Sequence, residues 1–283
     1  MAGLPASGLQ LRCAARTLDL AHPLVMGVLN VTPDSFSDGG RFADAGAAIA
    51  HGLRLAEEGA SLIDVGGEST RPGAAAVSVA EELARVLPVI RGLSRAGLAV
   101  SVDTSKPEVM RAAGAEGAAL INDVRALRAP GALAAAHASG CAVCLMHMQG
   151  EPRTMQHAPH YQDVVAEVRG FLAERLSACR AAGFASEQLL VDPGFGFGKN
   201  YQHNLTLLRR LGELADLGVP LLAGLSRKSL LGKLTGRAPA ERVYGSVALA
   251  VIAVLRGARI IRAHDVAATV DALRVVSALE EGG

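Results

Sequence analysis

Eight times in this chain a short apolar run breaks off at a polar group and gives way to a stretch with helical spacing. Leu24–Leu29 stops at Asn30, Leu62–Val65 runs into GGESTRPGA, Leu98–Val102 stops at Asp103, and Ala119–Ile121 stops at Asn122 and Asp123. Ala142–Leu145 leads to Met146 and His147, Leu189–Val191 to Asp192, Leu221–Ala223 toward Ser226, Arg227 and Lys228, and Arg259–Ile261 to Arg262 and His264. Runs this short and this apolar predict strands covered on both faces, as in parallel sheets. The intervening helices include Ala45–Glu58, with Ile49, Leu53 and Ala56 on one face and Gly59 as a stop, then Val164–Ala181, Asn204–Leu211, Ala240–Arg256 and Val266–Leu279. Eight strand-then-helix units in 283 residues predict an α/β chain folded as one (β/α)8 TIM barrel, whose sites lie at the C-terminal strand ends. A doubly wound open sheet is the alternative, with no edge strand or strand-order cue to favour it.

The ends of the chain add little. Residues 1–8 read as a loose tail, and the weak alternation of Leu9–Leu20 around Ala14–Arg16 predicts a short hairpin that closes one end of the fold. Two S-x-x-E boxes are present, Ser78 to Glu81 and Ser105 to Glu108, each predicting a capped helix start. The second box frees Asp103 from any capping duty, which favours a role for that carboxylate in a site.

Composition excludes several classes of function. Lys and Arg number 28 against 27 Asp and Glu, so no bulk attraction to nucleic acid or membrane follows. Aromatic residues are 3% and tryptophan is absent, which argues against a base-stacking surface. No basic segment precedes an apolar block at the N-terminus and no apolar run reaches a membrane span, so the expectation is a soluble cytoplasmic protein. Cys141 and Cys144 lie three apart on a predicted strand, hence on opposite faces, and read with Cys13 and Cys179 as small buried apolar residues rather than as a metal pair.

The chemistry narrows by elimination. Gly194–Lys199, GFGFGK, is not a Walker loop, because Pro193 and Asn200 stand where glycine and Ser or Thr are needed; it is not a dinucleotide fingerprint, because Lys199 takes the place of the third glycine. Ser226 and Ser229 lack a nucleophile elbow, and His147, His157 and His160 have no carboxylate or cysteine at ligand spacing. What remains is a recognition set. Asp103, Asn122, Asp192 and Lys228 combine carboxylate acceptors, an amide and a cation able to read a heterocycle edge rich in N–H and C=O groups. Arg262 and His264 on the last strand become neighbours of Asn30 on the first when a barrel closes, and suit a phosphate. Such a site, without a nucleophile, suits displacement of a phosphate leaving group by a second substrate. The loops carrying Phe36 and Asp38, and Thr70, Arg71 and Pro72, are expected to close over the incoming group and exclude water.

In order along the chain, NVTPDSFSDGG, IDVGGESTRPGA, SVDTSKP, INDV, MHMQGEPRTMQ, DPGFGFGK, GLSRKS and RAHDV closely resemble the motifs of the dihydropteroate synthase family of bacterial folate biosynthesis, from about Leu11 to Val276. The resemblance implies a transferase, a homodimeric barrel that joins 6-hydroxymethyl-7,8-dihydropterin diphosphate to 4-aminobenzoate with magnesium present. It implies a pterin held by Asp103, Asn122, Asp192 and Lys228, lined by Met146 and Gly224 and stacked by Arg262. Asn30 is implied as a ligand of the metal or the diphosphate, beside Arg262 and His264. Phe36, Thr70, Arg71, Pro72, Phe197, Lys228 and Ser229 are implied around the aminobenzoate, where sulfonamides compete in this family, with Asp64 supporting the first two loops. The implied chemistry is dissociative: diphosphate leaves, Asp38 and Asp103 favour the resulting cation, and the arylamine attacks. Two rivals stay open, a pterin-dependent methyltransferase of the same superfamily and a pterin- or phosphate-binding barrel without activity.

Overall fold

The computed structural model describes residues 9–32, 40–69, 76–151 and 154–281. An antiparallel hairpin comes first, β1 (Gln10–Cys13) and β2 (Arg16–Asp19). Eight parallel strands then form a closed ring: β3 (Leu24–Asn30), β4 (Leu62–Gly66), β5 (Val100–Asp103), β6 (Leu120–Asp123), β7 (Ala142–Met146), β8 (Leu189–Asp192), β9 (Leu221–Ala223) and β10 (Ala258–Ala263). β10 pairs with both β9 and β3, so the barrel has no edge and the open-sheet alternative falls. The outer helices are α1 (Gly40–Glu57), α2 (Val79–Arg95), α3 (Pro107–Ala115), α4 (Ala132–Ser139), α5 (Val164–Ala181), α6 (Tyr201–Arg209), α7 (Ser229–Thr235), α8 (Val243–Leu255) and α9 (Val266–Glu281). α7 was not legible as a helix, and the expected Ala240–Arg256 divides into a 3-10 turn, Pro239–Glu241, followed by α8.

Strand alternation divides the core in two. Val25, Leu29, Ile63, Val65, Val102 and Ile121 point outward and pack with the apolar faces of the helices. Their neighbours Met26, Leu62, Leu120, Leu190, Leu222 and Ile260 point inward and fill the lower barrel. Leu11, Cys13 and Leu20 of the hairpin pack against that inner layer with no exposed surface, so the hairpin plugs the N-terminal end of the barrel. A lone two-stranded hairpin is marginal in water, and burying these side chains, at about 2 kcal/mol for a leucine, is what holds it. Cys141 and Cys144 fall in different layers, as their spacing predicts, and all four cysteines are free and buried.

Two helix starts expected to be alike differ. Ser78 caps α2 by accepting from the Glu81 N–H while the Glu81 carboxylate accepts from the Ser78 N–H. The Ser105–Glu108 box does not form. α3 begins with Pro107, whose missing N–H leaves less to cap, and Ser105 Oγ instead donates to the Asp123 carboxylate, which also accepts from the N–H groups of Arg125 and Leu127 at 2.8 Å each. Asp123, on the outer face, thus organises the turn after β6. With no Ser105 cap on α3, Asp103 is not freed by one; it stands instead at the inward C-terminal end of β5.

Candidate active site

One step above the apolar inner layer, the inward positions turn polar. Leu62 is followed inward by Asp64, Ser101 by Asp103, Leu120 by Asn122, Leu190 by Asp192, Leu222 by Gly224 and Ile260 by Arg262. Register aligns part of this layer, because Asn30 pairs with Gly66, Gly66 with Asp103, and Asp103 with Asn122. Arg262 Nε donates to Asp64 Oδ2 at 2.6 Å and its NH2 to Asp103 Oδ2 at 3.2 Å, while Asn122 Nδ2 donates to Asp64 Oδ2 at 3.1 Å. The described bonds of Asp64 thus run inside the mouth. Asp64 Oδ1, Asn122 Oδ1 and Ser101 Oγ are buried and lack a partner among the described residues. Buried acceptors cost free energy when unpaired, so this layer is built to meet the N–H groups of something that enters it.

Opposite stand Asp192 and Lys228. Asp192 Oδ1 accepts from the Gly194 N–H at 2.7 Å, and Lys228 Nζ donates to the Phe195 carbonyl and lies 4.7 Å from the centre of the Phe197 ring. A Cβ at Gly224 would sit 3.8 Å from Lys228 Nζ, 3.8 Å from Arg262 Cβ and 3.9 Å from Asp192 Oδ2, so glycine leaves the space among the three open. Met146, Met148, Met155 and Val124, with Phe197 against them, make an apolar wall beside the charged floor. Ser229 follows Lys228 as the first residue of α7 and is exposed.

Burial and mutual repulsion tune these groups. Loss of solvent, then the Asp64 carboxylate, push Asp103 up to about 7 against the pull of Arg262. Burial also raises Asp192, opposed by Lys228 and the Gly194 N–H. Lys228 is lowered by burial to about 8, with Asp192 working the other way. Burial works against the charge of Arg262 too, but Asp64 and Asp103 outweigh it and hold the guanidinium above its ordinary value.

At the rim, Asn30 is exposed and His264 takes its Nδ1 to within 3.1 Å of Ser226 Oγ, which also accepts from the His264 N–H at 3.2 Å. Arg262 pairs with Met26 in register, four positions below Asn30, so the two stand at different depths. Phe36 and Asp38, and Thr70, Arg71 and Pro72, lie outside the described residues. The described flanks of the second loop are tied down: Arg85 NH1 donates to the Gly67 carbonyl at 2.8 Å, the Val77 N–H donates to Glu68 at 3.1 Å, and Lys106 Nζ bridges Glu68, at 2.6 Å, and the buried Glu82. Lys106, Ser101 and Lys199 are site or scaffold residues to which the sequence assigned no role, and Ser226, at a strand exit, was weighed only as a nucleophile; Ser101 had a local signal, being two positions before Asp103 on the same strand face.

No group of three or more His, Cys, Asp or Glu side chains able to hold a metal occurs among the described residues. His147 is buried, bonded to Lys199 and edge-on to Phe171. A magnesium ion does not need such a group: it takes one or two protein oxygens and completes its shell with substrate phosphates and water. The side-chain Oδ1 of Asn30 is a hard donor at the rim, 3.7 Å from where a Cβ at Gly66 would stand, and would suit such an ion.

A profile described as Pterin binding enzyme matches residues 26–264. The dihydropteroate synthase of Escherichia coli strain K12 is 57% identical over 263 residues, 93% of each chain. The solved dihydropteroate synthase of Yersinia pestis with a sulfonamide drug complex superposes with a TM-score of 0.92 at 52% identity, covering 96% of this chain and 100% of that one. That of Xanthomonas albilineans in complex with 7,8-dihydropteroate gives 0.87 at 57% identity, covering 96% and 98%. With the barrel, the polar mouth and likeness along nearly the whole length in agreement, the chain belongs to the pterin-binding enzymes and, among them, to the dihydropteroate synthases, which are transferases.

Proposed function

We propose that this chain condenses 6-hydroxymethyl-7,8-dihydropterin diphosphate with 4-aminobenzoate, giving 7,8-dihydropteroate and diphosphate, and that the mouth residues divide the work as follows. The observation that carries the reading is the buried Oδ1 of Asp64 and of Asn122, without a partner among the described residues, together with the open space that Gly224 leaves among Arg262, Lys228 and Asp192. A pterin presents an amino group and ring N–H groups along one edge and a carbonyl along another. Ionised Asp192, an acceptor only, suits the first, and Asn122 Oδ1 accepts from a further ring N–H. Lys228, with one N–H spent on Phe195, turns its others to the carbonyl. Met146 lines the ring, and Arg262 lies flat against it while its fork stays on Asp64 and Asp103.

Arg262, His264 and Asn30 hold the diphosphate. Asn30, with the diphosphate itself, would hold a magnesium ion, which would supply charge neutralisation for the leaving group. The C–O bond of the pterin methylene breaks with its electron pair leaving on diphosphate. The carbon left behind is cationic, and Asp103, backed by Asp64 and joined by Asp38, stabilises it electrostatically. The amine nitrogen then forms the C–N bond and releases a proton to solvent. Phe197 and Ser229, with Phe36, Thr70, Arg71 and Pro72, form the aminobenzoate pocket and keep water from the cation, and a sulfonamide competes there.

A second copy of the chain completes the assembly as a homodimer. The support is the outer face of α8 and α9, which pack side by side and present Tyr244 (82% exposed), Leu255 (59%), Val275 (62%) and Leu279 (76%). No described helix is long and apolar enough to cross a membrane, and four free thiols suit the reducing cytoplasm in which we place the protein.

The test is an assay with the pterin diphosphate, 4-aminobenzoate and magnesium that follows diphosphate and dihydropteroate together. Equimolar release is expected. Pterin binding without turnover, or consumption of a methyl donor in place of the amine, overturns the reading.

A further inference from the structure

The run Gly194–Lys199 has its three glycines at φ 69, 80 and 61, alternating with Phe195, Phe197 and Lys199. A side chain is excluded at both ends, because a Cβ at Gly194 would lie 1.9 Å from the His147 carbonyl oxygen and one at Gly198 would lie 2.4 Å from that of Gln149. Each backbone carbonyl of the run meets a side chain. Lys199 Nζ donates to Gly194 at 3.0 Å and to Phe197 at 3.1 Å; Lys228 donates to Phe195, Gln156 to Gly196 at 2.5 Å, Tyr161 to Gly198 at 2.8 Å and Asn204 to Lys199 at 3.1 Å.

Lys199 is the centre of this set. It is 2% exposed and has no carboxylate partner among the described ion pairs. Its third contact is His147 Nδ1 at 2.8 Å, on the segment after β7. The His147 carbonyl lies farther off, at 3.5 Å, so the three N–H donors of an ammonium meet three near acceptors and one distant one; burial draws the lysine well below its ordinary value, and the neutral amine would keep the near contacts with the imidazole donating. Burying an amine is costly, so its retention calls for a return elsewhere. That return lies at the two groups the run presents to the mouth, the Phe195 carbonyl on Lys228 Nζ and the Phe197 ring beneath it.

We propose that Lys199, through its bridge from His147 to the Gly194 and Phe197 carbonyls, is a positioning residue that sets the Phe197 wall of the arylamine pocket and the direction of the Lys228 amine. The inference rests on the reading above that Phe197 borders the amine and Lys228 the pterin. The pterin is also gripped by Asp103 and Asn122, which stand on β5 and β6, and by Asp192 on β8, whose bond to the run is to the Gly194 N–H and not to a carbonyl that Lys199 holds. Loss of Lys199 therefore falls on the amine.

The experiment compares wild type with Lys199→Met and Lys199→Gln, measuring KM for each substrate, kcat, and calorimetric binding of the pterin diphosphate. Wild-type turnover of the two substrates must be seen first; its absence refutes the functional reading itself. With turnover present, the expected result is a KM for 4-aminobenzoate raised about tenfold while pterin binding stays within about threefold. Equal rises for both substrates, or lower stability with neither KM changed, overturn the proposal. If neither lysine variant folds, His147→Ala decides, since it removes the imidazole acceptor and leaves the Gly194, Phe197 and His147 backbone carbonyls; the same split at about threefold is expected, and an unchanged amine KM overturns the proposal.

Discussion

Oδ2 of Asp64 accepts from Nε of Arg262 at 2.6 Å, joining β4 to β10 across the intervening β3. The same guanidinium holds Asp103, so one side chain of the last strand keeps two inward carboxylates of the fourth and fifth in place. Arg262→Ala takes from both the counter-charge they have among the described residues. The expected loss is about a thousandfold in kcat/KM, from missing leaving-group stabilisation and displaced carboxylates, with about 3 kcal/mol of stability. Arg262→Lys keeps charge without the fork and falls between. Steady-state kinetics and thermal denaturation read both effects; near-normal turnover in Arg262→Ala would remove Arg262 from the site.

The pH profile follows from two groups displaced toward each other. Asp103 is raised to about 7, so its ionised, cation-stabilising form grows as pH rises through that value. Lys228 is lowered to about 8, so its ammonium is lost as pH rises through that value. The expected kcat/KM profile for the pterin diphosphate is a narrow bell with its maximum between the two. Asp64→Asn removes the second cause of the rise in Asp103 and moves the acid limb to lower pH. An acid limb that stays in place in Asp64→Asn, across a titration of initial rates, excludes Asp103 as its source.

Much of this site was legible because strand alternation and a switch in polarity are both local. Asp103, Asn122, Asp192 and Arg262 each end an apolar run, and β-geometry alone puts them inward above Ser101, Leu120, Leu190 and Ile260. What joins them was not legible. Asp64 lies within LIDVG and read as support for loops, whereas its partners Asn122 and Arg262 are set by barrel closure between distant parts of the chain. Lys199 sat in a motif that matched no phosphate signature, and its acceptors are backbone carbonyls, which no residue pattern marks. Ser105 misled, because the helix starts one residue later than the box requires, with Lys106 at the N-cap ahead of Pro107, and the Ser105 hydroxyl turns to Asp123.

Gly224→Ala tests the open space in the mouth. The added Cβ meets Arg262, Lys228 and Asp192 at ordinary contact distances of 3.8 to 3.9 Å, so the fold tolerates it and stability is expected to change by less than about 1 kcal/mol. A pterin ring in that space meets the methyl instead. Its dissociation constant is expected to rise about tenfold or more, measured by calorimetry alongside a melting curve. Unchanged pterin binding would place the ring elsewhere.

The apolar stripe on α8 and α9 has its own test, separate from the chemistry. Ile252 and Leu279 belong to the exposed face, and charges placed there by Ile252→Glu with Leu279→Glu would be buried against like charges in a symmetric pair. Sedimentation is expected to give one chain's mass for the double variant and twice that for wild type. The near end of α8 is wired to the site: Arg242 NH1 donates to the carbonyls of Arg227, at 3.0 Å, and Lys228, at 3.3 Å, and Ser246 Oγ accepts from the Arg227 N–H at 3.0 Å. Ile252 lies beyond Ser246 on the same helix, and these bonds stay within one chain, so a monomer keeps them. Turnover per chain is therefore expected to remain within about threefold of wild type. A double variant that still sediments as a dimer would move the interface off this face.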